Sequence, residues 1–236
     1  MKLNTYAKKL LMWSVSRHHV KIFTNSDFSK NGLKPYLLDF FLLQSQGVLH
    51  VGAHTGQEAS FYSRFNLPVI WVEGNPAVFD ELKNNVSVFG QRAVLALISE
   101  NDKERVPFYL TSNNSESASL FPLAEKHAWM KLENTGSVSL ETRRLDKLFS
   151  ESEIQKFDFW VIDVQGSELQ VIRSAGKFLQ NFCHFALIEV STDKFYFGGS
   201  SWSDVVKEMN RQGFVQLWNP SSAHEEILFV NSQFPI

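Results

Sequence analysis

Five short, almost unbroken apolar runs punctuate this 236-residue chain: VLHVGA from Val48, VIWVEG from Val69, AVLALIS from Ala93, FDFWVIDV from Phe157 and HFALIEV from His184. A strand with one wet face alternates apolar and polar residues. A run apolar throughout is covered on both faces, as in a parallel sheet sandwiched between helices. Helix-like segments separate the runs, among them Gln57 to Phe65 and PAVFDELKNNVSVF, which carries Pro76 in its first turn. Such alternation predicts a doubly wound, mostly parallel α/β sheet.

Two stretches depart from the alternation. VPFYLTS (from Val106) and GSVSLET (to Thr142) flank the polar NNSESAS, which predicts an inserted β-hairpin carrying a serine-rich loop. Near the end, GFVQLWN and EILFVN are separated by the turn-rich PSSAHE, so these two pair antiparallel. Residues 1–46 read as a helical lead-in, with a helix over Pro35 to Gln44 opened by its proline. Residues 47–236 read as one domain, without repeats or low-complexity tracts.

Charge and cysteine count narrow the partners. A net charge of -2 gives no electrostatic footprint for a nucleic-acid backbone. The lone Cys183 excludes an internal disulfide and fits a reducing, cytoplasmic setting. Neither CxxC nor HExxH occurs, which argues against a zinc enzyme, and no metal is expected, the alternative being a hard cation held by Asp163 and Glu189 with waters. No apolar run approaches the ~20 residues of a membrane span. The first 23 residues carry Lys2, Lys8, Lys9, Arg17 and Lys21 around a short apolar centre. They read as a helix packed on the domain, or as one lying on a membrane surface.

In a doubly wound sheet ligands sit at the carboxyl ends of the strands. The first run leads directly into Gly52-Ala-His-Thr-Gly56, a turn that either serves only its own dihedral angles or lets a ligand lie against bare backbone. Glu73 closes the second run twenty-one positions after Gly52, the spacing of an acid that takes ribose hydroxyls, and reads otherwise as a solvated strand-end carboxylate or a cap for the helix beginning at Pro76. His54 occupies the middle position of the turn, and the third glycine of a dinucleotide fingerprint is missing. A ligand without a pyrophosphate, such as S-adenosylmethionine, tolerates that better. Asp163 ends the fourth run ahead of Gly166 and a helix starting near Glu168, and Glu189 ends the fifth. Asp163 reads as a site carboxylate or as a helix cap, a task that Ser167 also fits. Glu168 reads as a first-turn acid favoured by the helix dipole.

VGAHTGQE, VEGNP, SNNSESASL, LDKLF and above all FWVIDVQGSELQVIRSAG resemble the FkbM family of S-adenosylmethionine-dependent methyltransferases, over about Val48 to Val190. The resemblance implies the class I methyltransferase fold: a Rossmann-like, seven-stranded sheet whose last strand is antiparallel. It implies S-adenosyl-L-methionine as cofactor, held by Gly52, His54, Gly56, Glu73 and Asp163, with Ser115, Glu116 and Ser117 near the adenine. It also implies O-methylation of a hydroxyl on a sugar, glycan or related small molecule. This chain departs from the pattern at His50, where many class I enzymes have an acid, and at His54, where Asn or Gly is common. A hydroxyl nucleophile needs a base within hydrogen-bond reach. Asp163 is the first candidate, then Glu189 and His54. Phe195, Tyr196 and Trp202, in the loop after the fifth run, are candidates to line the acceptor site. Two other readings stand beside this one: a nucleotide-dependent oxidoreductase and a non-catalytic Rossmann-like binding protein.

Overall fold

The computed structural model describes residues 34–124 and 131–234. The basic N-terminal stretch, expected as a packed or membrane-lying helix, falls outside them. Strands β1 (Val48–Val51), β2 (Val69–Glu73), β3 (Arg92–Leu95), β7 (Phe159–Ile162) and β8 (Phe185–Ser191) run parallel to one another. β9 (Phe214–Gln216) and β10 (His224–Asn231) complete a seven-stranded sheet in the order β3-β2-β1-β7-β8-β10-β9. β10 lies between β8 and β9, antiparallel to both, as expected of the terminal pair.

Every residue of β1, β2 and β7 is buried, the condition their unbroken apolar runs anticipate. Trp71, Phe159, Trp160 and Ile162 are fully enclosed, and each such side chain contributes on the order of 1.5–3 kcal/mol. Helix α1 (Lys34–Leu43) adds Leu37, Phe41 and Leu42 to the same core, and the Phe41 ring lies 4.8 Å from that of Phe185. Helices α2 (Ala59–Ser63) and α3 (Pro76–Ser87) follow β1 and β2. Asn75 caps α3 by accepting the Ala77 N–H at 3.0 Å. No helix among the described residues is long and apolar enough to cross a membrane.

One expected strand is two. Within AVLALIS the chain breaks at Ala96, whose N–H donates to the Glu73 carbonyl. β3 therefore stays on the edge of the main sheet, while β4 (Leu97–Ile98) leaves it. β4 pairs parallel with β6 (Asn134–Arg143), which pairs antiparallel with β5 (Arg105–Thr111). The inserted hairpin is thus part of a second, three-stranded sheet, and its serine-rich loop is carried back over the strand ends by the Tyr109–Ser119 bridge.

Helices α4 (Leu145–Leu148) and α5 (Glu151–Ile154) lead into β7, while α6 (Glu168–Ser174) and α7 (Lys177–Phe182) follow it. α8 (Trp202–Arg211) follows β8 and opens with a capping box between Ser201 and Asp204. β1 and β7 leave the sheet in close contact: the Asp163 N–H donates to the Val51 carbonyl at 3.0 Å. Gly52 has φ +90°, and a Cβ placed on it would stand 1.6 Å from the Asp163 carbonyl oxygen. Gly52→Ala should therefore cost about 3 kcal/mol or more of unfolding free energy in urea titration, from overpacking and a positive φ together. A loss below about 1 kcal/mol would mean that the two strand ends part without strain.

Candidate active site

The chain that leaves β1 turns back at His54 (φ 44°) and Gly56 (φ 75°). Glu73, buried at the end of β2, holds that turn: its Oε2 accepts the His54 N–H at 2.7 Å and its Oε1 accepts the Asn75 N–H at 2.6 Å. Burial pushes the Glu73 carboxyl upward, and these backbone N–H groups act against the shift. A carboxylate has about four lone-pair sites, so the backbone N–H groups of His54, Asn75 and Gly74 leave acceptor capacity for a ligand hydroxyl. Gly56 faces elsewhere: a Cβ there would meet Val86 and Leu82 of α3 at 2.8 and 2.9 Å. Its glycine answers to helix packing, and that of Gly52 to the neighbouring strand.

Two cavities meet over these strand ends. The first is a narrow cleft of about 50 Å³, walled by Val72, Ala96, Leu97, Ile98 and Phe108, with Glu73, Ser115 and Glu116 also on its lining. The second, about 400 Å³ and predominantly polar, is bordered by Gln57, Glu58, Asn113, Ser117 and His224 among others. Gly52, His54, Glu116, Asp163 and Gln165 line both. Across the junction His54 Nε2 lies 3.2 Å from the Asn114 carbonyl, tying the glycine turn to the serine-rich loop.

Gln165, a residue that the spacing of carboxylates does not single out, organises the junction. Its Nε2 donates to Asp163 Oδ1 at 2.7 Å and to Glu189 Oε2 at 2.9 Å. Its Oε1 accepts the Tyr196 hydroxyl at 2.7 Å, which fixes the orientation of the amide. Asp163 is half-buried and caps no helix. Ser167 does not cap α6 either, because its hydroxyl donates back to the Val164 carbonyl. Glu189 lines neither cavity; its second oxygen lies 2.6 Å from His224 Nε2. Burial first, and then the Asp163 charge, push its carboxyl well above the usual range.

His50 stands where an acid was expected to be common. It is buried and stacked on Trp71 at 4.7 Å, with the Tyr62 hydroxyl 3.3 Å from Nδ1. Burial lowers its pKa to about 4, so it offers no charge to a cationic ligand. Phe195 and Tyr196 are buried in a small cluster with Leu123, and Trp202 packs against the main core. Phe195 and Tyr196 also border a third cavity, of about 490 Å³, together with Phe197 and Gly199. Phe197, at 58% exposure, is the open aromatic of that loop.

Glu168 is more than a first-turn acid. Buried in α6, it accepts the Gly166 N–H at 2.7 Å, and burial raises its pKa to about 8. A carboxyl raised on folding favours the native state while protonated, so its contribution is complete below about 4.5 and lost as pH rises through about 8. Glu168→Gln keeps the acceptor without the charge. Its stability relative to wild type should climb by a few kcal/mol, order of magnitude, between pH 5 and 9 in urea titrations. Parallel pH curves for the two proteins would contradict this.

The Methyltransferase FkbM domain family matches residues 50–215, from within β1 into β9. In sequence the chain is similar to 2-O-methyltransferase NoeI of Sinorhizobium fredii (strain NBRC 101917 / NGR234), at 24% identity over 163 residues. That match covers 64% of this chain and 65% of the relative, so the chain spans just under two thirds of the relative's length. In structure it is similar to Methyltransferase FkbM from Methylobacillus flagellatus KT, with a TM-score of 0.50 and 14% identity over 79% of this chain and 43% of that one. This is a likeness of fold. With the seven strands in this order, the antiparallel β10 and the family match across most of its length, the chain belongs to the FkbM methyltransferase family and has the class I methyltransferase fold.

Proposed function

We propose that the protein methylates a hydroxyl group of a neutral sugar or glycan-like acceptor, with S-adenosyl-L-methionine as the methyl donor. The observation that carries the reading is the pair of cavities meeting at Asp163, one narrow with an apolar wall opposite its acids, the other wide and polar. Family membership implies this cofactor, and the residues fit it. The apolar walls of the cleft suit an adenine, the remaining lone pairs of buried Glu73 suit the ribose hydroxyls, and Ser115 and Glu116 border the same cleft. Asp163 suits the ammonium group in place of His50, which burial keeps neutral. Bound there, the cofactor supplies an electrophilic methyl group on a sulfonium.

Among the described residues no lysine or arginine lines the wide cavity, while Glu58, Glu116 and Asp163 border it. Phosphorylated or carboxylated acceptors would meet like charge there, whereas a polyhydroxyl acceptor finds Asn113, Gln57 and Ser117 as hydrogen-bond partners. The name of the Sinorhizobium relative, a 2-O-methyltransferase, supports transfer to oxygen. Positioning the hydroxyl in line with the methyl group supplies much of the rate.

S-adenosyl-L-homocysteine at a hundredfold excess over its dissociation constant should stabilise the fold by ~2.7 kcal/mol. In a chain of this size that raises the melting temperature by about 5–10 °C. Stabilisation by NADH with none by S-adenosyl-L-homocysteine would replace this reading with an oxidoreductase. Asp163→Asn should weaken S-adenosyl-L-methionine binding by roughly 10- to 100-fold, the loss of one charge-assisted hydrogen bond. Its amide oxygen still accepts from Gln165, so the site should stay assembled. Unchanged affinity in calorimetry would take the ammonium away from Asp163.

A further inference from the structure

We infer that His224 takes the proton of the acceptor hydroxyl on its Nδ1, with Glu189 as the positioning residue behind it. The inference rests on the methyl-transfer reading above. His224 opens β10 and borders the wide cavity. Glu189 Oε1 lies 2.6 Å from its Nε2 and Ser191 Oγ lies 2.9 Å from its Nδ1, while the Phe195 ring stands edge-on at 5.5 Å. The β8–β10 register creates this arrangement by setting His224 opposite Ser191 and Glu226 opposite Glu189.

Asp163 is assigned to the ammonium group above, and the remaining candidates are otherwise engaged. His54 Nε2 faces a carbonyl oxygen, so that nitrogen carries the hydrogen, and its Nδ1 is 3.4 Å from Gln57 Nε2. His50 is enclosed between Trp71 and Tyr62. Glu189 has both oxygens occupied and lines neither cavity. On His224 the Nδ1 partner is the hydroxyl of Ser191, which borders the third cavity, of about 490 Å³, beside Thr192 and Phe195, and an acceptor hydroxyl would displace it there. With Nε2–H directed at the Glu189 carboxylate, the Nδ1 lone pair points to that position. As the new oxygen–carbon bond forms, the carbon–sulfur bond breaks with its electron pair left on sulfur, and the hydroxyl proton passes to Nδ1. The imidazolium then lies against Glu189, and with 40% of its side chain exposed it returns the proton to solvent.

The base is available only when the Glu189–His224 pair has lost its second proton. Asp163 from the end of β7, Glu189 on β8, Glu226 on β10, and Glu58 and His54 from the glycine turn surround it. Burial draws His224 down and pushes Glu189 up, so the second proton favours the carboxyl. Activity should therefore rise with pH as the pair, titrating as a unit, releases it.

The test uses the full chain labelled with ¹⁵N-histidine and loaded with S-adenosyl-L-homocysteine, with His224→Asn assigning the ring signals. Above the midpoint of the pair's own titration the His224 ring should be neutral with hydrogen on Nε2 and none on Nδ1. Glu189→Gln should disturb that tautomer and move the titration midpoint by about one pH unit or more. Titrating methyl glycosides of common hexoses and 6-deoxyhexoses should move the Nδ1 resonance as their hydroxyls replace that of Ser191. Hydrogen on Nδ1 above that midpoint, a tautomer indifferent to Glu189→Gln, or an Nδ1 signal that no glycoside moves would each overturn the inference while the bound S-adenosyl-L-homocysteine leaves the methyl-transfer reading standing. Failure of S-adenosyl-L-homocysteine to bind would overturn both.

Discussion

One primary amide holds the site together. Asp163 at the end of β7 borders the cavities and Glu189 on the neighbouring β8 stands behind it, and two carboxylates that close repel unless a donor lies between them. The Gln165 –NH₂ is that donor, with one hydrogen for each acid. To face back over the strand ends Gln165 takes φ 54°, a left-handed conformation that costs a side-chain residue about 1–2 kcal/mol. Gly166 comes next because a Cβ there would stand 2.8 Å from the Tyr196 ring. The close approach of that ring delivers the Tyr196 hydroxyl to Gln165 Oε1. The Gln165 carbonyl accepts from Ser119 and so anchors the serine-rich loop. The exit of β7, the inserted hairpin and the loop after β8 are thereby joined at one residue.

That dependence accounts for the sequence Asp-Val-Gln-Gly-Ser-Glu. Asp163 supplies charge at the strand end, Gln165 shares its hydrogens, Gly166 admits the aromatic ring, and Glu168 clamps the Gly166 N–H from the first turn of α6. A spacing argument finds the acids, because a carboxylate at a strand end is conspicuous among apolar residues. It passes over Gln165, whose role appears only when β8 and the loop beyond it are placed alongside.

The same division runs through the rest of the chain. Buried parallel strands were legible because burial on both faces leaves an unbroken apolar run, and β1, β2 and β7 keep it. AVLALIS was apolar throughout for two different reasons, as an edge strand and as the start of a second sheet, and composition does not separate them. The glycine turn posed a choice between ligand and geometry, and at Gly52 and Gly56 steric contact within the protein is sufficient cause for glycine. His224 lies in what reads as a turn, PSSAHE. It reaches the site only through an antiparallel register that links it to Ser191, 33 residues earlier. Non-local pairing of this kind leaves no periodicity in the residues that make it.

Electrostatics joins the fold to the proposed chemistry. Glu58, Glu73, Glu116 and Asp163 border the two cavities and Glu189 stands behind them, with no lysine or arginine on either lining among the described residues. Such a crevice carries a standing cost, visible in the upward displacement of Glu73 and Glu189 by burial. A dinucleotide pyrophosphate would add to that cost. A ligand bearing an ammonium and a sulfonium would offset it, with each cation strengthened by the low dielectric around the carboxylates. Transfer of the methyl group turns the sulfonium into a neutral thioether, so the spent cofactor has one charge fewer to hold it. The negative field that recruits the donor is in this way also the field that lets its product go. A neutral acceptor takes no part in the exchange of charge and can be selected by hydrogen bonds alone.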